Sequence, residues 1–368
     1  MTLTPIGRFV VVAVLAMALL AIAVQAKAQE LPAPAAWEAL EKGDASKAAA
    51  IFRDALDRSP SNPYLLYGSA HASLALGRTD AAISSLKRAV EYEPKFLHAL
   101  VLLAQIAYQT ADLDLAVKAL ERAAALAPRD KNIAGQLAKW KNESSLHQSF
   151  QTTQTVRFNV LFEGPSQKAV SDRVSLVLNN AYWSIGKTLN IYPSTALDVI
   201  LYSNKQFQDI TRAPGWAGGG YDGRIRLPVN GALEKPQTLD RVVTHEYVHA
   251  VVRNAAGQNV PAWVNEGLAS YLEAGDKTWA RRVLKQADGR IELADLEEGF
   301  GRFDGDTALV AYAESFIAAE LLCEKLNPHI GPFLQLLGNG HTVDQALSRH
   351  GIQPDAFYAE WKRRVGIK

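Results

Sequence analysis

The sequence predicts a chain of two structural classes, an all-helical repeat array followed by an α+β domain, and three observations predict it. Small and apolar residues recur every 34 positions through the first third of the chain. Beyond position 155, stretches of two-residue alternation are interspersed with helical periods. The length of 368 residues, 48% of them apolar, suits about two domains of roughly 150 residues each. This apolar content, with 21% charged residues, excludes a disordered or collagen-like chain. A single cysteine, Cys323, excludes an internal disulfide, a four-cysteine zinc site and a CxxC redox pair. Any bound metal must therefore be held by histidines and carboxylates.

Residues 1–28 read as a secretory signal peptide. Arg8 precedes sixteen apolar residues from Phe9 to Val24, and Ala26-Lys27-Ala28 supplies a small-x-small cleavage signal. Sixteen apolar residues are short of the roughly 20 that span a bilayer. The mature chain is expected to start at Gln29, to be exported, and to keep no stable membrane span. Removing Arg8 and Lys27 leaves 37 basic against 38 acidic residues, a net charge of −1. That balance exerts no long-range pull on nucleic acid or an anionic membrane.

Residues 29–138 form the repeat region. Pro60, Pro94 and Pro128 are 34 apart, as are Ala48, Ala82 and Ala116, Ala55, Ala89 and Ala123, and Phe52, Leu86 and Leu120. Small residues let the two helices of a hairpin approach, the larger residue four positions later fills the gap, and proline ends the second helix. The turn position reads Gly43, Gly77 and then Ala111, so the third unit lacks the glycine that suits a helix end. One hairpin cannot cover its own apolar face, and about three must stack. The pattern resembles the tetratricopeptide repeat, with an atypical first helix around Ala35 to Leu40 that reads as a cap. The resemblance implies a groove for a protein partner. Tyr67, His71, Gln105 and Tyr108 are groove candidates that also suit ordinary packing. The polar stretch around Lys139 to Ser145 reads as part of a linker over residues 139–154.

In the second domain, residues 155–368, strands are expected at 156–162 and 197–202 and a helix between them at about 170–189. The Gly-rich passage 215–223 leads into Arg224-Ile225-Arg226-Leu227-Pro228, read as a turn feeding an edge strand because proline lacks a ladder donor. A helix from Thr238 to about Asn254 then carries His245-Glu246-Tyr247-Val248-His249. Residues four apart stand above one another on a helix, so both imidazoles can reach one ion at about 2.0–2.1 Å. Glu246 beside them suits a general base acting on water. After a turn, a helix near Trp263 carries Glu266, 17 residues beyond His249, far enough to bring back a third ligand and leave one position open.

The HEYVH motif followed by Pro-Ala-Trp-Val-Asn-Glu-Gly-Leu-Ala-Ser-Tyr resembles the gluzincin metallopeptidases, most closely the peptidase MA-like group, over roughly residues 155–327. The resemblance implies an α+β gluzincin-type domain with an upper sheet, an active-site helix and a glutamate helix. It implies Zn²⁺ on His245, His249 and Glu266, Glu246 as catalytic base, and a protein or peptide substrate. The metzincin branch needs glycine at position 252 and histidine at 255, where this chain has Val252 and Ala255. Tyr312 matches a downstream tyrosine that could donate to a developing oxyanion. Ser270 stands where relatives often carry an acid that orients a ligand imidazole. His329, His341 and His350 read as non-ligands, and Cys323 as a buried small hydrophobe.

The expected activity is zinc-dependent endopeptidase action. The Gly-x-Met-Glu-Asn amine-binding segment of related aminopeptidases is absent, since Met1 and Met17 both lie in the signal. The competing expectation is an idle envelope scaffold that binds partners through its repeats. Retention of Glu246 favours the enzyme, and the family's association with bacterial envelopes favours the periplasm.

Overall fold

The computed structural model describes residues 32–211, 219–257 and 260–367. The expected signal peptide lies outside these residues. Among them, no helix is long and apolar enough to cross a membrane. The chain divides into two compact units at Ser149/Phe150.

The first unit is helical throughout. Its helices are α1 (Pro34–Glu41), α2 (Ala45–Arg58), α3 (Pro63–Ala75), α4 (Thr79–Tyr92), α5 (Leu97–Gln109), α6 (Leu113–Leu126) and α7 (Lys131–Gln148). The first six pair as three hairpins, and the 34-residue registers are its core: Ala48, Ala82, Ala116, Phe52, Leu86 and Leu120 are all buried. The hairpin turns need a left-handed residue. Gly43 and Gly77 supply it at φ 77° and 69°, and Ala111 adopts the same conformation at φ 65° despite its Cβ. Phe52, larger than its counterparts Leu86 and Leu120, is accommodated by Gly68, where a Cβ would stand 2.3 Å from the ring. Arginines reinforce the stack with the same period: Arg88 donates to the Pro60 carbonyl, and Arg122 to those of Val90 and Pro94. Tyr67 and Tyr108 are packing residues. Tyr67 sits edge-on to His71, and Tyr108 stacks on Trp140 with centroids 4.5 Å apart.

The expected linker differs from what is observed. Residues 139–148 continue α7, and only the short stretch after Gln148 leads into a strand. Trp140 and Glu143, three apart on one helix face, are both buried, and the Glu143 carboxylate accepts from the Tyr108 hydroxyl at 2.8 Å. Two inward-facing residues hold the helix although its composition is polar.

The second unit opens with β1 (Gln151–Gln154), β2 (Phe158–Phe162), α8 (Lys168–Leu189), β3 (Leu197–Tyr202), α9 (Asn204–Thr211), β4 (Gly220–Tyr221) and β5 (Ile225–Pro228). It continues through α10 (Pro236–Ala256), α11 (Ala262–Leu272), α12 (Trp279–Gln286), α13 (Gly305–Leu326), α14 (Ile330–Gly338), α15 (Val343–Arg349) and α16 (Pro354–Val365). The five strands run in the order β1-β2-β3-β5-β4. The pairs β2/β3 and β3/β5 are parallel, and the outer pairs β1/β2 and β4/β5 are antiparallel. Val160, Val199 and Ile225 stand in register and are fully buried beneath α8 and α10.

The expected edge strand is corrected by one position. β5 is flanked by β4, whose two residues pair with Ile225 and Arg226, so β4 forms the sheet edge. Leu227 and Pro228 extend past β4, which leaves the proline no donor to supply on that side. Arg224 and Arg226 are buried, not outward-facing. Arg226 tolerates burial by donating to the Asp222 carboxylate and, at 2.7 Å, to the Tyr202 hydroxyl.

Candidate metal centre

The motif helix α10 is built to be buried. Tyr247, Val248, Val251 and Val252 are buried in the core, and His245, Glu246 and His249 share an arc of about 100° on the helix. On α11, Trp263, Val264 and Leu268 bury the far face, and Gly267 lets the helix press against α13, where a Cβ would stand 2.3 Å from the Ser315 carbonyl oxygen. That close approach fixes where its neighbour Glu266 stands.

His245, His249 and Glu266 converge. One Glu266 carboxylate oxygen lies 3.7 Å from the Nε2 of each histidine, and ligand atoms of all three groups lie within 4.8 Å of one another. Donors about 2.0–2.1 Å from a tetrahedral ion stand about 3.3 Å apart, so the two 3.7 Å separations need to shrink by a few tenths of an ångström and the two imidazole nitrogens to draw together by up to about 1.5 Å. The imidazole planes are nearly perpendicular, at 86°. The donor set of two nitrogens and one carboxylate oxygen suits zinc and leaves room for a fourth ligand.

The structure also shows a residue that sequence reasoning missed. Glu273 accepts the Nδ1 proton of His245 at 2.8 Å, which aims Nε2 at Glu266 as the nitrogen available to a metal. Glu273 is itself held by Arg241 at 3.1 Å. Ser270, the expected orienting residue, is buried, and the orienting contact comes from Glu273. The only sequence signal was its place seven residues after Glu266, two helical turns on the same side.

Glu246 is buried, and burial pushes its carboxyl above the usual range, with further upward push from Glu266 and Glu273 against the pull of the two histidines. Burial also acts upward on Glu266, but chiefly His249 and His245, with Tyr312, outweigh it and bring it below the usual range. Burial favours neutral His245, yet the carboxylates of Glu266 and Glu273, the latter hydrogen-bonded to it, with the charge of Glu246, raise it to about 10. Three carboxylates around two imidazoles are a surplus of negative charge that a divalent cation balances. Gly219 closes the site above Glu246: a Cβ there would lie 2.9 Å from both Cγ and Oε1.

Tyr312 reaches this cluster from α13. The charge of the Glu266 carboxylate, with burial, holds its phenol protonated well above the ordinary range. His341 and His350 use their Nδ1 atoms on backbone carbonyls within their own segments, apart from the cluster. Cys323 is buried and its thiol is pushed up to about 12 by burial.

An α+β unit that brings two histidines of one helix and a glutamate of the next onto a common point defines the class. The chain belongs to the Peptidase MA superfamily, whose sequence profile matches residues 181–366, just over half of its length. The tetratricopeptide repeat profile matches residues 39–86 and 73–139. No curated protein matches. Among solved structures, the first TPR of Spaghetti (RPAP3), bound to the HSP90 peptide SRMEEVD, is 21% identical over 30% of this chain and 91% of its own, with a TM-score of 0.28. The UNC-45 chaperone, whose structure is described in terms of binding and folding muscle myosin, is 13% identical over 93% of this chain, with a TM-score of 0.28. The chain spans 32% of the UNC-45 chain.

Proposed function

We propose that this chain is an exported, zinc-dependent endopeptidase whose repeats recruit a protein partner or substrate, with the periplasm as its compartment. The observation that carries the catalytic reading is the convergence of His245, His249 and Glu266 with Glu246 buried beside them. His245, His249 and Glu266 would hold a zinc ion, which when bound would supply Lewis acidity to polarise a scissile carbonyl and lower the pKa of water towards about 7.

The protein's own residues have separable tasks. Glu246, its basicity raised by burial, takes the proton from the attacking water and returns it to the leaving amine. Tyr312, held protonated beside Glu266, donates to the oxygen that becomes negative in the transition state. Glu273 fixes the orientation of His245. The outer side of β4 offers backbone groups for an extended substrate to add as a strand, and Gly219 brings that edge against Glu246.

Export rests on the charged, apolar and small-x-small pattern of residues 8–28. Comparing envelope protein fragments in cells carrying the intact chain or Glu246→Gln tests the reading. Fragments should accumulate only with the intact chain. Identical fragment patterns would leave the repeats as a scaffold and refute catalysis.

A further inference from the structure

A second polar cavity lies on the sheet side of α10, towards the end of that helix away from its N-terminus. It has a volume of about 150 Å³, far above what one water needs. Arg157 at the foot of β2 and Arg253 on α10 both line it, as do the phenol-bearing Tyr182, Tyr221 and Tyr247. No carboxylate is among the described residues lining it. Asp222, the neighbour of Tyr221, is committed to Arg226.

The cationic groups are in place before any ligand arrives. The Arg157 guanidinium lies 4.4 Å from the Tyr182 ring centroid and 4.8 Å from that of Trp183, so its flat face is occupied by aromatics while its N–H edge has no acidic partner among the described residues. Arg253 donates to the Gly257 carbonyl, which anchors its side chain at the helix end. Tyr221 is pushed up to about 12, chiefly by burial, so it remains a proton donor.

Tyr247 supplies an independent observation. Its side chain is 1% exposed, it lines the cavity, and its hydroxyl has no hydrogen-bond partner among the described residues. A buried hydroxyl without a partner costs about 1–3 kcal/mol, and such groups call for an explanation. Arg157 and Tyr182 line the same cavity.

We infer that this cavity binds an oxyanion, a carboxylate or phosphate group, between Arg157 and Arg253 with Tyr247 as a hydroxyl donor. Planar guanidinium forks match the oxygens of such groups, and a phenol adds a donor without adding charge. The cavity is distinct from the cluster of His245, His249 and Glu266, because Tyr247 projects from α10 on the side away from His245. It adjoins β4 through Tyr221, two residues beyond the Gly219 that touches Glu246. Glu246 and Arg253 are seven residues apart on one helix, about 10 Å at 1.5 Å per residue. That distance is close to three residues of extended peptide, so a peptide's terminal carboxylate and a free small anion are both sources of the same chemistry.

The test is calorimetric titration of the full mature chain, stripped of metal with chelator, using inorganic phosphate and an N-acetylated tripeptide with either a free or an amidated C-terminus. Metal removal makes the result independent of the peptidase reading, which can fail without affecting it. Saturable one-to-one binding of phosphate or of the free-acid peptide is expected. Arg157→Gln should weaken it at least tenfold, and Tyr247→Phe about three- to tenfold. Tighter binding of the acid peptide than of phosphate identifies a chain terminus as the source, and the reverse identifies a free anion. Tyr247→Phe removes one oxygen and little packing. It should melt no lower than the parent without ligand, and lose that parity when phosphate is added. Absence of saturable binding by both anionic probes would overturn the inference, as would affinities unchanged in both variants.

Discussion

Removing the Glu273 carboxylate isolates the element of the metal centre that the motif alone does not reveal. In Glu273→Ala, His245 loses a 2.8 Å acceptor for its Nδ1 proton, and the ring is no longer held in the orientation that points Nε2 at Glu266. A hydrogen bond to a charged group is worth about 1.5–3 kcal/mol, and second ligand shells of this kind change metal affinity by about 10–100-fold. Arg241, also released, loses little because its side chain is already 47% exposed. Zinc affinity should therefore fall by about 10–100-fold in Glu273→Ala. Glu273→Gln keeps a carbonyl acceptor but not the charge, and should fall by less, about 3–10-fold. Competition against a chromophoric zinc chelator measures both, with circular dichroism to confirm folding. Affinity in Glu273→Ala within about twofold of the parent would refute the orienting role.

Three other outcomes follow from particular contacts. Gly219→Ala places a methyl 2.9 Å from Glu246 Oε1 and Cγ, so kcat/KM on a peptide substrate should drop at least tenfold with zinc content unchanged; normal turnover would show that Glu246 does not work from this position. Ala111→Gly relieves the left-handed strain at φ 65° and should stabilise the chain by about 0.5–1 kcal/mol, read as a higher urea midpoint at constant slope; a lower midpoint would contradict it. Glu314 is raised to about 7 by burial, so in the folded chain it holds a proton that the unfolded chain releases near pH 4.5. The stability it contributes is complete below about pH 4.5 and is lost as pH rises through about 7, on the order of 3 kcal/mol. Glu314→Gln keeps an acceptor for the Ile291 amide and should flatten that decline in melting temperatures taken from pH 5 to 8; an unchanged slope would assign it to other groups.

What the sequence made legible depended on whether a feature is periodic. The 34-residue registers announced three hairpins because each stacked unit must bury the same positions, and even the awkward Ala111 could be located by the glycines of its sister turns. His245 and His249 were legible because a helix puts residues four apart on one face, and Glu266 because it follows a turn at a workable distance. By contrast, α7 was hidden by a polar sequence that uses Trp140 and Glu143 to dock its continuation. The two-residue β4 offers too few positions for alternation to show. Glu273 lies just past the end of α11, with extended backbone at ψ 156°, and the family resemblance directed attention to Ser270 and not to the residue that turns back onto His245.

Zinc content of the purified mature chain, measured by mass spectrometry after dialysis against a weak chelator, tests the convergence of His245, His249 and Glu266 most directly. About one zinc per chain should remain in the parent and in Glu246→Gln, and Glu266→Ala should lose it while its repeats and sheet stay folded. A parent chain that retains no zinc, or a Glu266→Ala chain that binds it as tightly as the parent, would contradict the assignment.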